Sequence, residues 1–453
     1  MKPASPQAYA LMHQGSLALS MMESVGMPVC AERLDTAIAD IGNRIKGMEA
    51  ELRSMPEYEE QRKRYGAKTK LGSREQLADI LYNVMGFPGG VVNPETGKLS
   101  LDDEDLREID TPYTKLFQRT QKLEKLRGTY LAPFKRELCN GRVHAFFNLH
   151  KVTTYRSSSD SPNLQNIPIR DPDIGKVIRG IIKPSDPNNV IVEIDYSTLE
   201  VVIGACLHRD PSMMEYLTTG FDFHRATAQD CFFLGEDVPK PLRQMAKVTN
   251  FSLIYGDYYA AIAKKLWKSA ESATYNDVPV HEYLKTKNIR SLGTEHNMSP
   301  DTFTYHMKGV CDRFWSQRFP VFAKWRNDTW EGYLRNGCLY TKTGFRIHGV
   351  YKRNEILNVE TQGCAFHCLL KSVIEITKEI LKRRMGTRLI CQIHDSILAE
   401  VPRQEVDDYI EMANAIMTHK LAAQWPWIVL PLSTEAEVGE DSWASKKAYH
   451  KAS

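Results

Sequence analysis

No apolar run in the 453-residue chain approaches the ~20 residues needed to cross a bilayer, and the opening "MKPASPQAYALMHQGSLALSMM" is too interrupted by polar side chains for a secretory leader. Cysteine is scattered: of nine, the closest pair, Cys364 and Cys368, has the spacing of one helix face and not of a Cys-x-x-Cys knuckle. That argues against a zinc ribbon or a disulfide framework and for reduced, buried thiols. Net charge is also scarce. The 59 Lys+Arg and 56 Asp+Glu leave +3, so any polyanionic partner must be held by local patches and not by a global field. Internal repeats and low-complexity tracts are lacking, which excludes solenoids and tails. The expectation is a soluble intracellular protein. With 42% hydrophobic residues it can bury more than one core, in two or three lobes.

What is there begins with helix. "AERLDTAIADIGNRIKGMEAELRSM" keeps apolar residues at helical spacing, and Ser73 suits the N-cap of a short helix in "LGSREQLADILYNVMGF". The acidic "LDDEDLRE" reads as a solvated helix start, and "TKLFQRTQKLEKLRGTYLAPFKREL" as a basic helix with an exposed face. Texture then changes to short β-type runs and a Ser/Asn/Pro-rich loop. "NVIVEIDYS" is a continuous apolar strand ending on Asp195. Residues 209 to 350 read as helical again, including a polar excursion at 268–300 of low periodicity. The last hundred or so residues combine a long helix, "NVETQGCAFHCLLKSVIEITKEILKRR", with strands.

Two strand tips carry carboxylates. In "CQIHDSILAE" the adjacent His394, Asp395 and Ser396 alternate in direction along an extended chain, so they cannot converge as a hydrolase relay. The flanking aliphatic runs put Asp395 near the tip of a hairpin. Alone, an aspartate there is turn chemistry; Asp195 is the second carboxylate that makes a metal pair conceivable. A third signal is the helix after Pro241, on which Arg243, Lys247, Phe251 and Tyr255 follow at spacings of four. Each step of four drifts only about 40°, and Arg243 to Phe251 spans roughly 12 Å at 1.5 Å per residue. Two cations continued by an aromatic match a triphosphate continued by a sugar and base. An Arg/Lys stripe alone is usually a solvated face, but Asn250, Phe251 and Tyr255 extend this one in a way that reading does not explain. Gly256 lets the helix end.

"DYSTLE", "RQMAKVTNFSLIYG" and "IHDS", in this order, closely resemble the three polymerase motifs of family A DNA polymerases. "SSSDSPNLQNIPIRD", "FDFHRATAQ", "NVETQG" and "EVGEDSW" are similar to further family segments, so the resemblance runs from about Gly26 to the end. It implies an α+β right-hand fold with an antiparallel-sheet palm, helical fingers and a helical thumb. The lobes are expected as an N-terminal palm-associated helix at 1–30, thumb at 31–140, palm at 141–208 and 353–453, and fingers at 209–352. The implied activity is template-directed addition of deoxynucleoside triphosphates to a primer 3′-hydroxyl. The alternative is a catalytically altered DNA-binding relative.

The resemblance also implies roles. Asp195, Asp395 and the Tyr196 carbonyl hold two Mg²⁺ ions, with Mn²⁺ as a substitute. Arg243, Lys247 and His224 grip the triphosphate, and Lys247 also protonates the leaving pyrophosphate. Phe251 packs on the incoming sugar and base, and Tyr255 sits by the templating position. Glu200 crowds the 2′ position of the sugar, which selects deoxynucleotides and disfavours an RNA polymerase. A metal-dependent phosphohydrolase would need the aspartates but not the 243–255 stripe. Arg156, Asn166, Asn358, Gln362 and His394 contact primer and template. The implied partners are primer-template DNA and dNTPs, with separate exonuclease, helicase or processivity proteins as further candidates and no membrane. The implied location is the cytoplasm of a bacterium or of a phage-infected host. No exonuclease domain of ~200 residues is expected ahead of the polymerase part. Three features depart from the family pattern. Ser396 stands where an acidic residue usually follows the His-Asp pair, Tyr155 stands where glycine is common before Arg156, and the 268–300 excursion is long.

Overall fold

The strand Asn189–Tyr196 is the centre of a five-stranded antiparallel sheet. On one side it pairs with Ser396–Pro402, which pairs in turn with Arg388–Ile393; on the other lie Thr434–Gly439 and the short edge strand Lys447–Ala448. The computed structural model describes residues 2–92, 97–167 and 171–451. Pro168 to Arg170, within the family-like segment "SSSDSPNLQNIPIRD", lie outside the described residues.

The central strand reads as an unbroken apolar run because both of its faces are covered. Val190, Val192, Ile194 and Tyr196 enter one core, which includes the long helix Arg353–Arg383. Ile191 enters a second core under the helices Ala31–Arg53 and Pro172–Ile181, closed by Trp443. Glu193 and Asp195 alternate with the first set, so they share the face of Ile191. A third, separate core lies around Leu77, Leu81, Leu106 and Phe117. The large first core runs from the sheet into the helices Phe223–Phe232, Lys240–Tyr255, Tyr259–Ala270 and Pro320–Asn336. This is the α+β right-hand architecture that the motifs imply.

Several local expectations meet the structure directly. Ser73 caps the helix Arg74–Asp79, accepting from the Gln76 N–H at 3.3 Å. The stretch 209–350 is less purely helical than its pattern suggests, since Cys338–Tyr340 and Phe345–His348 form a hairpin that pairs with Lys2–Pro3. The excursion at 268–300 is a short hairpin, Thr274–Tyr275 with Val278–Pro279, followed by the helix Val280–Thr286. Tyr275, Val280, Leu284 and Ile289 are buried, so a few anchors order a mostly polar segment that has too little amphipathic period to be read as helix. The acidic run also does more than start a helix. Asp102 and Asp105 form the capping box of Asp103–Ile109, while Glu108 and Glu104 meet Lys268 of the helix Tyr259–Ala270 at 2.8 and 3.7 Å. Among the described residues no helix is long and apolar enough to cross a membrane.

One buried charge ties the sheet to the neighbouring loops. Glu400, 1% exposed, accepts from the Ser185 N–H at 2.6 Å, from Asn189 Nδ2 at 3.2 Å and from Arg142. Burial pushes its carboxyl up, but the hydrogen bonds from Ser185, Arg142 and Asn189 outweigh that and hold it below the usual carboxylate range. Its contribution to stability is therefore whole above about pH 4.5 and is lost as pH falls through the lowered value. Arg142→Met should destabilise the fold by about 3 kcal/mol at neutral pH, because it leaves a buried charge without its partner. Urea denaturation over a series of pH values checks this: the deficit should be large at pH 7 and should shrink as pH falls through the lowered Glu400 value.

Candidate active site

The hairpin that the sequence suggests is present and tight. Arg388–Ile393 and Ser396–Pro402 are joined by His394 and Asp395 alone, with Ile393 opposite Ser396. His394 takes a left-handed φ of +51°, a conformation that histidine tolerates better than most side chains. Ser396 is buried, and its hydroxyl donates to the Ile393 carbonyl at 3.0 Å, so it serves the turn and not a nucleophilic relay.

Register brings the second carboxylate alongside. Ser396 lies directly across from Asp195, and the Tyr196 N–H donates to the Asp395 carbonyl at 3.2 Å. The Tyr196 side chain points into the core, where its hydroxyl meets Ser372 Oγ at 2.9 Å and donates to the Met417 carbonyl at 2.8 Å. Burial first, and then the negative charges of Asp395 and Glu193, together raise the Asp195 carboxyl to about 6. Burial also raises Asp395, while Arg156 and His394 oppose that shift. Two carboxylates that resist ionising beside each other are the donors a divalent cation would satisfy. Among the described residues no group of three or more His, Cys, Asp or Glu is arranged to hold a metal unaided. A pair of carboxylate donors with open positions fits Mg²⁺, which usually keeps waters and takes substrate phosphates as its remaining ligands.

Arg156 joins this centre from a loop. It pairs with Glu200, on the helix Leu199–His208, and Glu200 also accepts from the Tyr255 hydroxyl. Tyr255 ends the helix Lys240–Tyr255, on which Arg243, Lys247 and Phe251 precede it. The Phe251 and Tyr255 rings stack with centroids 6.5 Å apart, so the stripe is real on this side. Arg243 donates to Asp222 at 2.6 Å, and Lys247 is half-buried. His224 lies 6.0 Å from the Phe251 ring and meets the Asn250 amide at 2.9 Å. Burial, with the positive charge of Arg243 close by, lowers His224 to about 4, so it is a neutral imidazole at physiological pH.

The far end of that helix is fastened. Gly256 terminates it at φ +93°, and a Cβ there would lie 2.5 Å from Asn354 Oδ1, so the glycine is required for close approach. Asn354 donates to the Gly256 carbonyl at 2.9 Å, Asn358 to that of Tyr255 at 3.3 Å, and Arg326 to that of Ile254 at 3.0 Å. Asn358 is thus brought to the centre through Tyr255, and Gln362, one turn further along the helix Arg353–Arg383, is half-buried. Asn166 stands apart: its side chain is exposed, and its backbone is held by Asn163 and by the Tyr130 hydroxyl.

Sequence reasoning missed the residues that hold the hairpin in place. Gln392 is 2% exposed, and its amide donates to the His394 carbonyl at 2.8 Å. Its Oε1 accepts from Ser157 at 2.6 Å and from Gln165 at 2.7 Å, which ties the Arg156 loop to the hairpin. The available signal was a glutamine inside an aliphatic strand, where a polar side chain needs buried partners.

The sequence pattern of DNA polymerase family A matches residues 38–294 and 308–445. DNA polymerase I of Geobacillus stearothermophilus is 25% identical over 414 residues, covering 90% of this chain and 43% of its own length. The thermostable DNA polymerase I of Thermus aquaticus is 27% identical over 450 residues, covering 95% and 47%. The chain thus spans less than half the length of these relatives. The POL domain of Pol1 from M. smegmatis, solved with DNA primer-template and dNTP, superposes with a TM-score of 0.77 at 22% identity, over 96% of this chain and 70% of that one.

Gln392→Leu should cost about 1–3 kcal/mol, because Ser157 and Gln165 lose a buried partner. Equilibrium denaturation measures this. A loss indistinguishable from zero would show that the network does not hold the hairpin.

Proposed function

Because the chain belongs to DNA polymerase family A, we propose that it adds deoxynucleoside triphosphates to the 3′-hydroxyl of a primer paired with a template. The observation that carries this reading is the adjacency of Asp195 and Asp395 at one end of a sheet, next to a helix whose stripe runs from Arg243 through Lys247 and Phe251 to Tyr255. Nucleotidyl transfer needs both parts, and neither a simple phosphohydrolase nor a binding module does.

Two Mg²⁺ ions held by Asp195, Asp395 and the Tyr196 carbonyl would supply Lewis-acid stabilisation of the attacking and leaving oxygens. The side chains do the rest. Arg243, released from Asp222, and Lys247 bind the triphosphate, and Lys247 is the group placed to give a proton to the departing pyrophosphate. His224, neutral and held by Asn250, donates a hydrogen bond to the same phosphates. Phe251 covers the sugar and base. Glu200, braced by Arg156 and Tyr255, fills the space that a 2′-hydroxyl would need, and this favours deoxynucleotides. His394, Arg156, Asn166, Asn358 and Gln362 form the primer and template side, where contacts to sugar, phosphate and the minor groove check pair shape without reading sequence.

Primer extension by purified protein tests the reading. Asp395→Ala should abolish extension, and Lys247→Ala should slow it by about 10²- to 10⁴-fold, the usual contribution of a general acid. Ser396→Glu should remain active, because the two aspartates suffice as donors. Extension by Asp395→Ala at the wild-type rate would refute the assignment.

In the same assay, Glu200→Ala should raise ribonucleotide incorporation by about 10- to 200-fold, the range that steric contact in a pocket supplies. The family resemblance implies that Phe251, in place of a tyrosine, discriminates against dideoxynucleotides, so Phe251→Tyr should raise their incorporation. Unchanged selectivity would remove the corresponding role.

A further inference from the structure

Tyr155, immediately before Arg156, occupies a backbone conformation that suits glycine. Its φ is +63°, where the Cβ of an L-residue crowds its own carbonyl and a bulky side chain is rare. Such a residue persists only where its surroundings over-determine it. Here they do. Tyr155 is 3% exposed, its ring lies 5.4 Å from Phe345 and stacks on His367 at 6.2 Å, and its hydroxyl donates to the Arg346 carbonyl at 2.8 Å. Its N–H closes a turn onto Val152 at 3.0 Å. The preceding carbonyl, that of Thr154, lies so close to the long helix that a Cβ on Gly363 would sit 2.9 Å from it.

Beyond Tyr155 the loop is held chiefly at its two ends, by buried Leu149 and by Ser157 through Gln392 and Gln165. Residues 149–157 have neither helix nor strand, yet they deliver Arg156 to Glu200 and bring its charge to bear on Asp395 and His394. A long flexible side chain on an irregular loop is a poor locator unless its own backbone is fixed. The side chain of Tyr155 goes inward to the Phe345–His348 strand and the 353–383 helix, and the side chain of Arg156 goes outward to Glu200.

We infer that Tyr155 is a positioning residue: its buried ring and hydroxyl anchor the left-handed turn that sets Arg156 against Glu200, and through Glu200 the space beside the incoming sugar. This deepens the proposed polymerase reading and rests on it. A tyrosine serving only to fill the core would require neither the left-handed backbone nor its place next to the arginine.

Tyr155→Gly is the informative variant, because glycine accepts φ +63° without crowding, so the loss comes from the missing ring and hydroxyl and not from backbone strain. Amide hydrogen exchange should show residues 149–157 opening at least tenfold faster in this variant, with the 353–383 helix unchanged. Unchanged protection of the loop would overturn the anchor, whether or not the protein extends primers. In primer extension, Tyr155→Gly should lower kcat/KM for dNTPs roughly five- to twentyfold and narrow the dNTP-over-rNTP preference. In an Arg156→Ala background it should have no further effect, since it acts through that arginine. Tyr155→Phe, which keeps the ring, should recover most of the loss. Additive losses, with both substrates affected alike, would reduce Tyr155 to a core residue and overturn the proposal. Failure of the wild-type protein to extend primers would instead count against the polymerase reading, and the exchange measurement would still decide the anchor.

Discussion

A single backbone hydrogen bond, from the Tyr196 N–H to the Asp395 carbonyl, fixes the end of the central strand to the hairpin tip and holds two like charges in proximity. Burial raises both carboxyls, and the charge of Asp395 raises Asp195 as well, so holding the pair there has a cost. The arrangement survives because register is not free to slip. A shift by one residue would turn Val190, Val192 and Ile194 out of one core and Ile191 out of the other, so two buried faces enforce one alignment. Packing over the whole strand therefore sets the position of two aspartates at its end.

The same economy applies to the helix that faces them. The 240–255 helix is bonded at its C-terminal end by Arg326, Asn354 and Asn358, all of which reach its last carbonyls from helices in the large core. Near its other end Arg243 is held by an exposed ion pair with Asp222, a contact that solvent and a phosphate can compete for. Tight fastening near Tyr255 and looser fastening near Arg243 suit the proposed roles, in which the helix holds one end of a substrate in place while it admits the other. Glu200 lies where these two systems meet, bonded to Arg156 on one side and Tyr255 on the other.

Much of this was legible in the sequence, for physical reasons. "NVIVEIDYS" announces a continuous apolar strand that ends on an aspartate, and "CQIHDSILAE" announces a hairpin with Asp395 near its tip because of its aliphatic flanks. The spacing of Arg243, Lys247, Phe251 and Tyr255 gives a helix face directly. Less legible were contacts that depend on distant partners. Nothing local to Gln392 shows that Ser157 and Gln165 will complete its hydrogen bonds, and nothing local to "LDDEDLRE" shows that Glu108 will meet Lys268. Tyr155 is the opposite case. Its identity was visibly unusual for the motif, but only the backbone shows that it adopts the left-handed conformation with its side chain buried.

The central claim is that this register makes one metal-binding centre out of Asp195 and Asp395, in reach of the 243–255 stripe. Its most direct test is a crystal of the chain with primer-template, a non-hydrolysable deoxynucleoside triphosphate and Mn²⁺, read by anomalous scattering. The account predicts metal peaks between the two carboxylates and the triphosphate against Arg243 and Lys247. Metal bound elsewhere, or a triphosphate on another face of that helix, would contradict it.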